Sequence, residues 1–251
     1  MTALTLTSPS RATDAGWLAA ADIAAITRAL DVPYRLVGGL AVTLLVHARD
    51  AAGVAPARET ADADLGVPFH VCGDDRLPEA LLDAGYARTR GNRFVRTDDG
   101  RELVIDVLTT AYVSHLVPNQ QHGTLVVDEI PGLRTALLEP ATTVDLTAVL
   151  TDGRAVRMTL DLPGLAAALI LKALAYRGRF ATSDATDVHR LLETSLHAGR
   201  TSDDWPDRVE ARDAVRVLHQ FFGSTTGPAA RLAGGAARVR LLVRRLVPVP
   251  G

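Results

Sequence analysis

Two adjacent glycines, Gly38 and Gly39, follow a short apolar run at residues 34–37 and open an apolar, helix-like stretch at residues 40–49. Glycine has no Cβ, so a pair of them after a strand lets the backbone approach a bulky group closely. The helix that opens there directs its unpaired N–H groups at the same point. A polar loop at residues 50–61, with Gly53 and Pro56, carries Arg58 and Thr60. Asp62 and Asp64 then stand two apart at the start of a new apolar run ending at residue 67. Alternate residues of an extended segment share a face, so both carboxylates point one way. Like charges held that close repel unless a cation lies between them. Hard oxygen donors suit Mg²⁺, which binds one or two carboxylates together with substrate phosphates. A glycine pair alone is most often a turn, and an Asp-x-Asp alone is most often a solvated strand end. Their order here, strand, glycines, helix, loop, carboxylates, points to a nucleoside triphosphate and phosphoryl-type chemistry.

Composition narrows the classes. The 251 residues allow one large domain or two small ones, and 47% hydrophobic with 22% charged residues is ordinary for a soluble globular chain. A net charge of −2 excludes a protein that binds nucleic acid through overall basicity, leaving only local patches. Cys72 is the single cysteine, so neither an internal disulfide nor a thiolate zinc site can form, and a reducing cytoplasm is the expected compartment. No signal peptide or membrane span is expected.

Along the chain, residues 1–12 read as disordered, and Thr13 or Asp14 is expected to cap a helix reaching residue 30. After the carboxylate strand, residues 74–84 read as a short helix. Residues 93–97 and 102–108 form a hairpin about Asp98-Asp99-Gly100. Asp106 interrupts the second, apolar strand of that hairpin, where an unpartnered carboxylate is costly; it is read as a third carboxylate beside Asp62 and Asp64. Residues 111–140 read as irregular, with His115 and His122 as loop residues. A second hairpin spans residues 142–150 and 154–160. Strands and helices are thus mixed as in an α/β or α+β domain. Beyond Pro163 the chain reads as four helices: residues 164–176, 184–197, 203–222 and 229–246, the last with a possible break at Gly234-Gly235. Ser183 or Asp184 is the expected cap of the second.

Of 27 basic residues only Lys172 is a lysine. Where arginine serves every generic need for positive charge, the exception suggests a compact ammonium gripping a phosphate. Lys172 and Arg177 straddle the end of one helix. Asp184 and Asp187, three apart, share a face in the first turn of the next, where cap and dipole preferences alone could place them. Arg208, Arg212 and Arg216 fall at helical spacing, and Arg238, Arg240, Arg244 and Arg245 crowd the last helix. These are either solvated faces or a strip for an RNA backbone.

Four blocks in this order, Val37-Gly38-Gly39, Arg58-x-Thr60-x-Asp62-x-Asp64, Asp106 and LKALAYRGRFATSDATDVHRLL, resemble nucleotidyltransferase-fold proteins of the AbiEii/AbiGii toxin type, which include the MenT toxins. The resemblance covers roughly residues 34–195. It implies an α+β protein with a nucleotidyltransferase-like N-terminal lobe over residues 1–162, built on a mixed sheet with flanking helices. A helical lobe over residues 163–251 would close over the nucleotide. It further implies Mg²⁺-dependent transfer of a nucleotide from an NTP, such as ATP or CTP, to an acceptor. The expected acceptor is the 3′ end of a tRNA, in a toxin–antitoxin system with a separately encoded antitoxin. The gap from Gly39 to Asp62 is long for the family, and Thr60 stands where serine is frequent.

On this reading Asp62, Asp64 and Asp106 hold two Mg²⁺ ions, and Asp106 is the base for the attacking hydroxyl. Gly38, Gly39, Arg58 and Thr60 cradle the nucleotide phosphates. Lys172 and Arg177 offset their charge, with Asp187 orienting either cation. Two alternatives remain: a nucleotidyltransferase of the same fold that modifies a small molecule such as an antibiotic, and a non-catalytic nucleotide-binding regulator.

Overall fold

The computed structural model describes residues 1–56 and 58–250; the expected loop at 50–61 is therefore described except for Ala57. The protein is α+β, a mixed sheet with flanking helices. Its first strand corrects an expectation. Residues 1–12 are not disordered: β1 (Thr2–Thr7) pairs in parallel with β9 (Thr142–Val149), which pairs antiparallel with β10 (Ala155–Leu162). Thr-Leu alternation gives β1 one wet face and one packed face, a period-2 signal that its terminal position obscured. Helix α1 (Arg11–Leu30) is capped by the Ser10 hydroxyl, which accepts from the Thr13 amide. Asp14, an expected cap, is instead fully buried.

The larger sheet runs β2 (Arg35–Val37), β3 (Ala63–Gly66), β6 (Arg101–Thr110), β5 (Arg93–Asp98), β4 (Ala87–Arg90). β3 and β6 are parallel; the other pairs along this path are antiparallel. The β5–β6 turn has Asp99 and Gly100 both at positive φ, the geometry that twists a tight hairpin in the native sense. Residues 111–140 are not irregular. They hold a hairpin, β7 (Val117–His122) and β8 (Leu125–Ile130), whose second strand extends the far end of β6, and the short helix α5 (Leu133–Leu138). β7 carries Pro118, Asn119 and two glutamines and is largely exposed, so neither propensity nor periodicity announces it.

Helix α2 (Gly38–Ala48) connects β2 to the loop before β3. Two short helices, α3 (Phe69–Cys72) and α4 (Arg76–Asp83), follow β3. After residue 163 the described chain holds helices and no strand. These are α6 (Leu165–Arg179), α7 (Thr182–His197), α8 (Val209–Val217), α9 (Ala229–Leu232) and α10 (Ala236–Leu246). The expected helix 203–222 is split by Pro206 and ends in a π-helical turn at Leu218–Gly223; the break at Gly234-Gly235 is present. One apolar cluster runs from Ile23 on α1 through Leu36, Leu44, Leu65, Ile105 and Leu146 to Tyr176, Leu192 and Val243. Each fully buried large aliphatic there contributes about 1.5–3 kcal/mol.

A buried ionic cluster joins α1 to the β9–β10 turn. The Arg101 guanidinium meets Asp14 at 3.4 Å and Asp152 at 3.0 Å, and the Thr151 amide and hydroxyl both donate to Asp14. Desolvation pushes the Asp14 carboxyl up, but hydrogen bonds from Thr151 and Ser8 and the Arg101 charge outweigh it and hold it below its ordinary value.

Candidate active site

The parallel register of β3 and β6 sets Asp64 directly beside Asp106. In-register neighbours on adjacent strands lie about 5 Å apart, so the two carboxylates share a face. Asp62 lies one residue before β3 rather than on it, with its side chain half exposed. Asp106 is held bidentately by Arg93, at 2.9 and 2.7 Å, and the same guanidinium approaches Asp62 at 3.6 Å. Among the described residues no hydrogen bond or ion pair reaches the Asp64 carboxylate. Burial first, then the charges of Asp106 and Asp62, push its pKa up to about 6 despite Lys172 and Arg179. Asp62 is also raised, by desolvation first and by Asp106, against the pull of Arg93.

The glycines frame this carboxylate. Gly38 has φ +74°, and a Cβ there would overlap the Asp64 carboxylate. A Cβ on Gly39 would overlap the Arg58 guanidinium and lie 2.6 Å from the Thr60 hydroxyl oxygen. Position 38 therefore favours glycine by conformation as well as contact, whereas a side chain at Gly39 would have to displace the ends of Arg58 and Thr60. Arg58 in turn donates to Asp187 at 2.7 Å. Lys172 Nζ lies 2.8 Å from Asp187 and 3.4 Å from Asp184. Arg190 donates to Asp187 at 3.3 Å and to the Thr43 hydroxyl on α2 at 3.0 Å. Arg179 grips Asp184 with two hydrogen bonds of 2.5 and 2.8 Å. Gly38, Gly39, Arg58, Thr60, Asp62, Asp64, Asp106, Lys172 and Asp187 are thus brought into one neighbourhood.

Arg177 is not part of it. Its guanidinium donates to the Ser114 carbonyl, and Arg179 is the arginine that meets the acidic pair. Asp187 orients Lys172 and Arg58, not Arg177. Asp184 is no cap: Ala181 precedes the first turn of α7, and the fully buried Asp184 carboxylate serves Lys172 and Arg179. Sequence reasoning missed Arg93, Arg179 and Arg190. Two of these left a signal. Counting outward from the Asp99-Gly100 turn pairs Arg93 with Asp106, and Arg190 is three residues after Asp187 on a helix.

The result is two facing walls of opposite charge. Four cations, Arg58, Lys172, Arg179 and Arg190, share two carboxylates, leaving positive charge in excess. Across from them Asp62 and Asp106 share Arg93, and Asp64 beside Asp106 has no such contact among the described residues. An uncompensated, desolvated carboxylate with two acidic neighbours is a donor set suited to a divalent cation. Among the described residues no three acidic, histidine or cysteine side chains converge as a finished metal shell, and the Arg93 guanidinium bridges Asp62 and Asp106.

Two clefts lie elsewhere. One of about 410 Å³ is lined by Tyr112, Ser114, Arg134, Arg208, Arg212 and Asp213, the other, of about 320 Å³, by Arg49, Glu139, Trp205 and Leu246 among others. Neither includes the carboxylate set, whose chemistry and not its volume marks it out. His122 is not a loop residue; it ends β7, where Glu129 holds it at 3.0 Å.

No family model matches the chain, and no curated protein is significantly similar to it. Among the described residues no helix is long and apolar enough to cross a membrane.

Proposed function

We propose that the protein is an Mg²⁺-dependent nucleotidyltransferase with a nucleotidyltransferase-like catalytic lobe, moving an NMP from an NTP to an acceptor. The acceptor of this reading is the 3′ end of a tRNA, and the setting is a toxin–antitoxin system in which a separately encoded antitoxin restrains the activity. The observation that carries the chemistry is Asp64: a desolvated carboxylate without a partner among the described residues, set beside Asp106, walled by Gly38 and facing a cationic cluster.

Asp62, Asp64 and Asp106 are the residues that would hold Mg²⁺. Bound there, the metal would supply charge neutralisation for the triphosphate and the attacking oxygen. The chain's own groups do the rest. The amides opening α2 at Gly38 and Gly39, with Thr60 and Arg58, receive phosphate oxygens that no side chain of ordinary size would admit. Lys172, held by Asp184 and Asp187, and Arg58 offset the negative charge that grows on the leaving pyrophosphate. An acceptor hydroxyl attacks the α-phosphorus in line; its O–P bond forms as the bond to the β-phosphate oxygen breaks. Asp106 takes the hydroxyl proton once Arg93 has yielded it.

The test is transfer of label from each radiolabelled NTP to total tRNA in Mg²⁺, beside Asp64→Ala. Label that depends on Asp64 supports the reading. A variant that folds and keeps more than a tenth of wild-type turnover overturns it. Label on a small-molecule acceptor and none on tRNA keeps the catalytic site and replaces the acceptor. NTP binding without pyrophosphate release points to a regulator.

A further inference from the structure

The chain has a net charge of −2, but its last acidic residue is Asp213. Everything after it carries six arginines, at 216, 231, 238, 240, 244 and 245, and no carboxylate side chain. Composition alone cannot distinguish a solvated helix from a binding surface; ion pairing can. On and beside α8 the arginines are spoken for: Arg208 meets Glu139 at 2.9 Å, Arg212 meets Asp207 at 2.6 Å and Arg216 meets Asp213 at 2.8 Å. On α10 only Arg238 is matched, bidentately by Glu193 at 2.7 Å. Among the described residues, Arg240, Arg244 and Arg245 have no acidic partner, and neither has the exposed Arg231 on α9.

The three free arginines lie on one side of α10. Its other side, Val239, Leu242, Val243 and Leu246, is buried in the core, and the Trp205 indole donates to the Leu246 carbonyl at its end. The apolar face is therefore used up inside the protein and is not free to enter a bilayer, as a membrane-surface helix would require. What α10 presents to solvent is guanidinium with Leu241 between. Planar guanidinium forks at helical spacing, without acidic neighbours, match the repeated oxygens of a phosphate backbone.

We infer that the outer face of α10, through Arg240, Arg244 and Arg245, binds the phosphate backbone of a nucleic acid. This deepens the reading above, on which it rests for the identity of that nucleic acid as the acceptor. α10 packs along α7 beginning at His189, whose Nδ1 pairs with the Ala233 carbonyl, and Arg238 meets Glu193 further on. On a helix, His189 and Glu193 point away from the side on which Asp187 meets Lys172. The arginine face is thus set behind α7 from the carboxylates. A small acceptor in the site could not reach it, whereas a folded nucleic acid could span both. Its effect falls on capture and not on the chemical step.

The experiment measures binding of fluorescent tRNA, a single-stranded RNA and a DNA duplex to the full chain by anisotropy across a NaCl series, with phosphatidylglycerol vesicles alongside. The variants are Arg240→Gln/Arg244→Gln/Arg245→Gln, the same three positions changed to Lys, and Arg212→Gln/Arg216→Gln as the paired control. The triple Gln variant is expected to bind nucleic acid at least tenfold more weakly and to lower the slope of log affinity against log salt by about 2–3, near 0.7–0.9 per arginine. The Lys variant should recover most of the binding, and the α8 control should match wild type. If transfer occurs, KM for RNA rises in the triple Gln variant while kcat holds. Unchanged nucleic-acid binding in the triple Gln variant overturns the inference, as does binding to vesicles with none to nucleic acid. Salt-dependent RNA binding that persists in Asp64→Ala while wild type shows no transfer leaves this surface standing and removes the proposed reaction instead.

Discussion

Asp14 and Asp64 are both carboxylates withdrawn from water, and their surroundings are opposite. Asp14 is matched by its surroundings: Thr151 donates twice, and Arg101 supplies charge. Its carboxyl titrates below its ordinary value although desolvation works against that. Around Asp64 nothing among the described residues donates, two further carboxylates crowd in, and burial with their charge pushes the carboxyl up to about 6. The first pattern joins a helix to a hairpin. The second carries unfavourable electrostatic energy in the fold, which a ligand can remove. Buried charge by itself therefore does not mark a site; buried charge left unmatched does.

The comparison can be broken most sharply at Asp64. Asp64→Ala should reduce nucleotide transfer by about a hundred- to a thousandfold, the scale lost when a group that stabilises transition-state charge is removed. Its melting temperature should equal or exceed that of wild type. A variant that melts well below wild type would make Asp64 a structural residue like Asp14. The converse substitution, Asp14→Ala, leaves Arg101 buried with less compensation and should lower the melting temperature by roughly 5–10 °C. Turnover per folded molecule should be unchanged. Calorimetry paired with an active-fraction assay reads both quantities.

A smaller effect lies in pH. The folded pKa of Asp64 is raised, so its contribution to stability is intact below the unfolded value of 3.8 and is lost as pH climbs through about 6. Denaturant titrations of wild type and Asp64→Asn should agree near pH 4 and diverge by about 2 kcal/mol at pH 7, the variant being more stable. Parallel curves across that window would show that Asp64 is matched after all. Smaller again, Arg93→Gln removes the cation that bridges Asp62 and Asp106. The variant should melt a few degrees lower than wild type without Mg²⁺, and millimolar Mg²⁺ should raise it more than it raises wild type. The smallest effect belongs to the paired surface: Arg212→Ala should alter stability by no more than about 0.5 kcal/mol, since exposed ion pairs contribute little.

Much of the site could be read before the fold was known, because its parts are local. Val37-Gly38-Gly39 and Asp62-x-Asp64 each declare a backbone geometry over a few residues, and β3 and α2 form close to where those residues place them. Asp106 stood out because an apolar strand rarely carries a carboxylate. What stayed hidden was relational. Which arginine meets Asp184 depends on how α6 ends, with Phe180 in the left-handed region turning the chain so that Asp184 comes beside Arg179 and not Arg177. The β7–β8 hairpin is held by edge pairing to β6, not by its own propensities. Of the α8 pairings only Asp213 with Arg216 follows from spacing along the helix; Asp207 lies before it and Glu139 is distant in sequence.

The pairing of β1 with β9 has a consequence for how the chain is made. β1 leaves the ribosome long before β9, which begins at Thr142 and is its strand partner among the described residues. At about 5–20 residues per second, β1 waits roughly 7–30 s before that partner has been synthesised. The three-stranded sheet is therefore among the most non-local parts of the fold, and closing it late makes folding slow. An unpaired Thr-Leu strand is meanwhile the segment most open to foreign partners. A chain shortened by its first seven residues would escape that hazard and lose the sheet edge that shields β9.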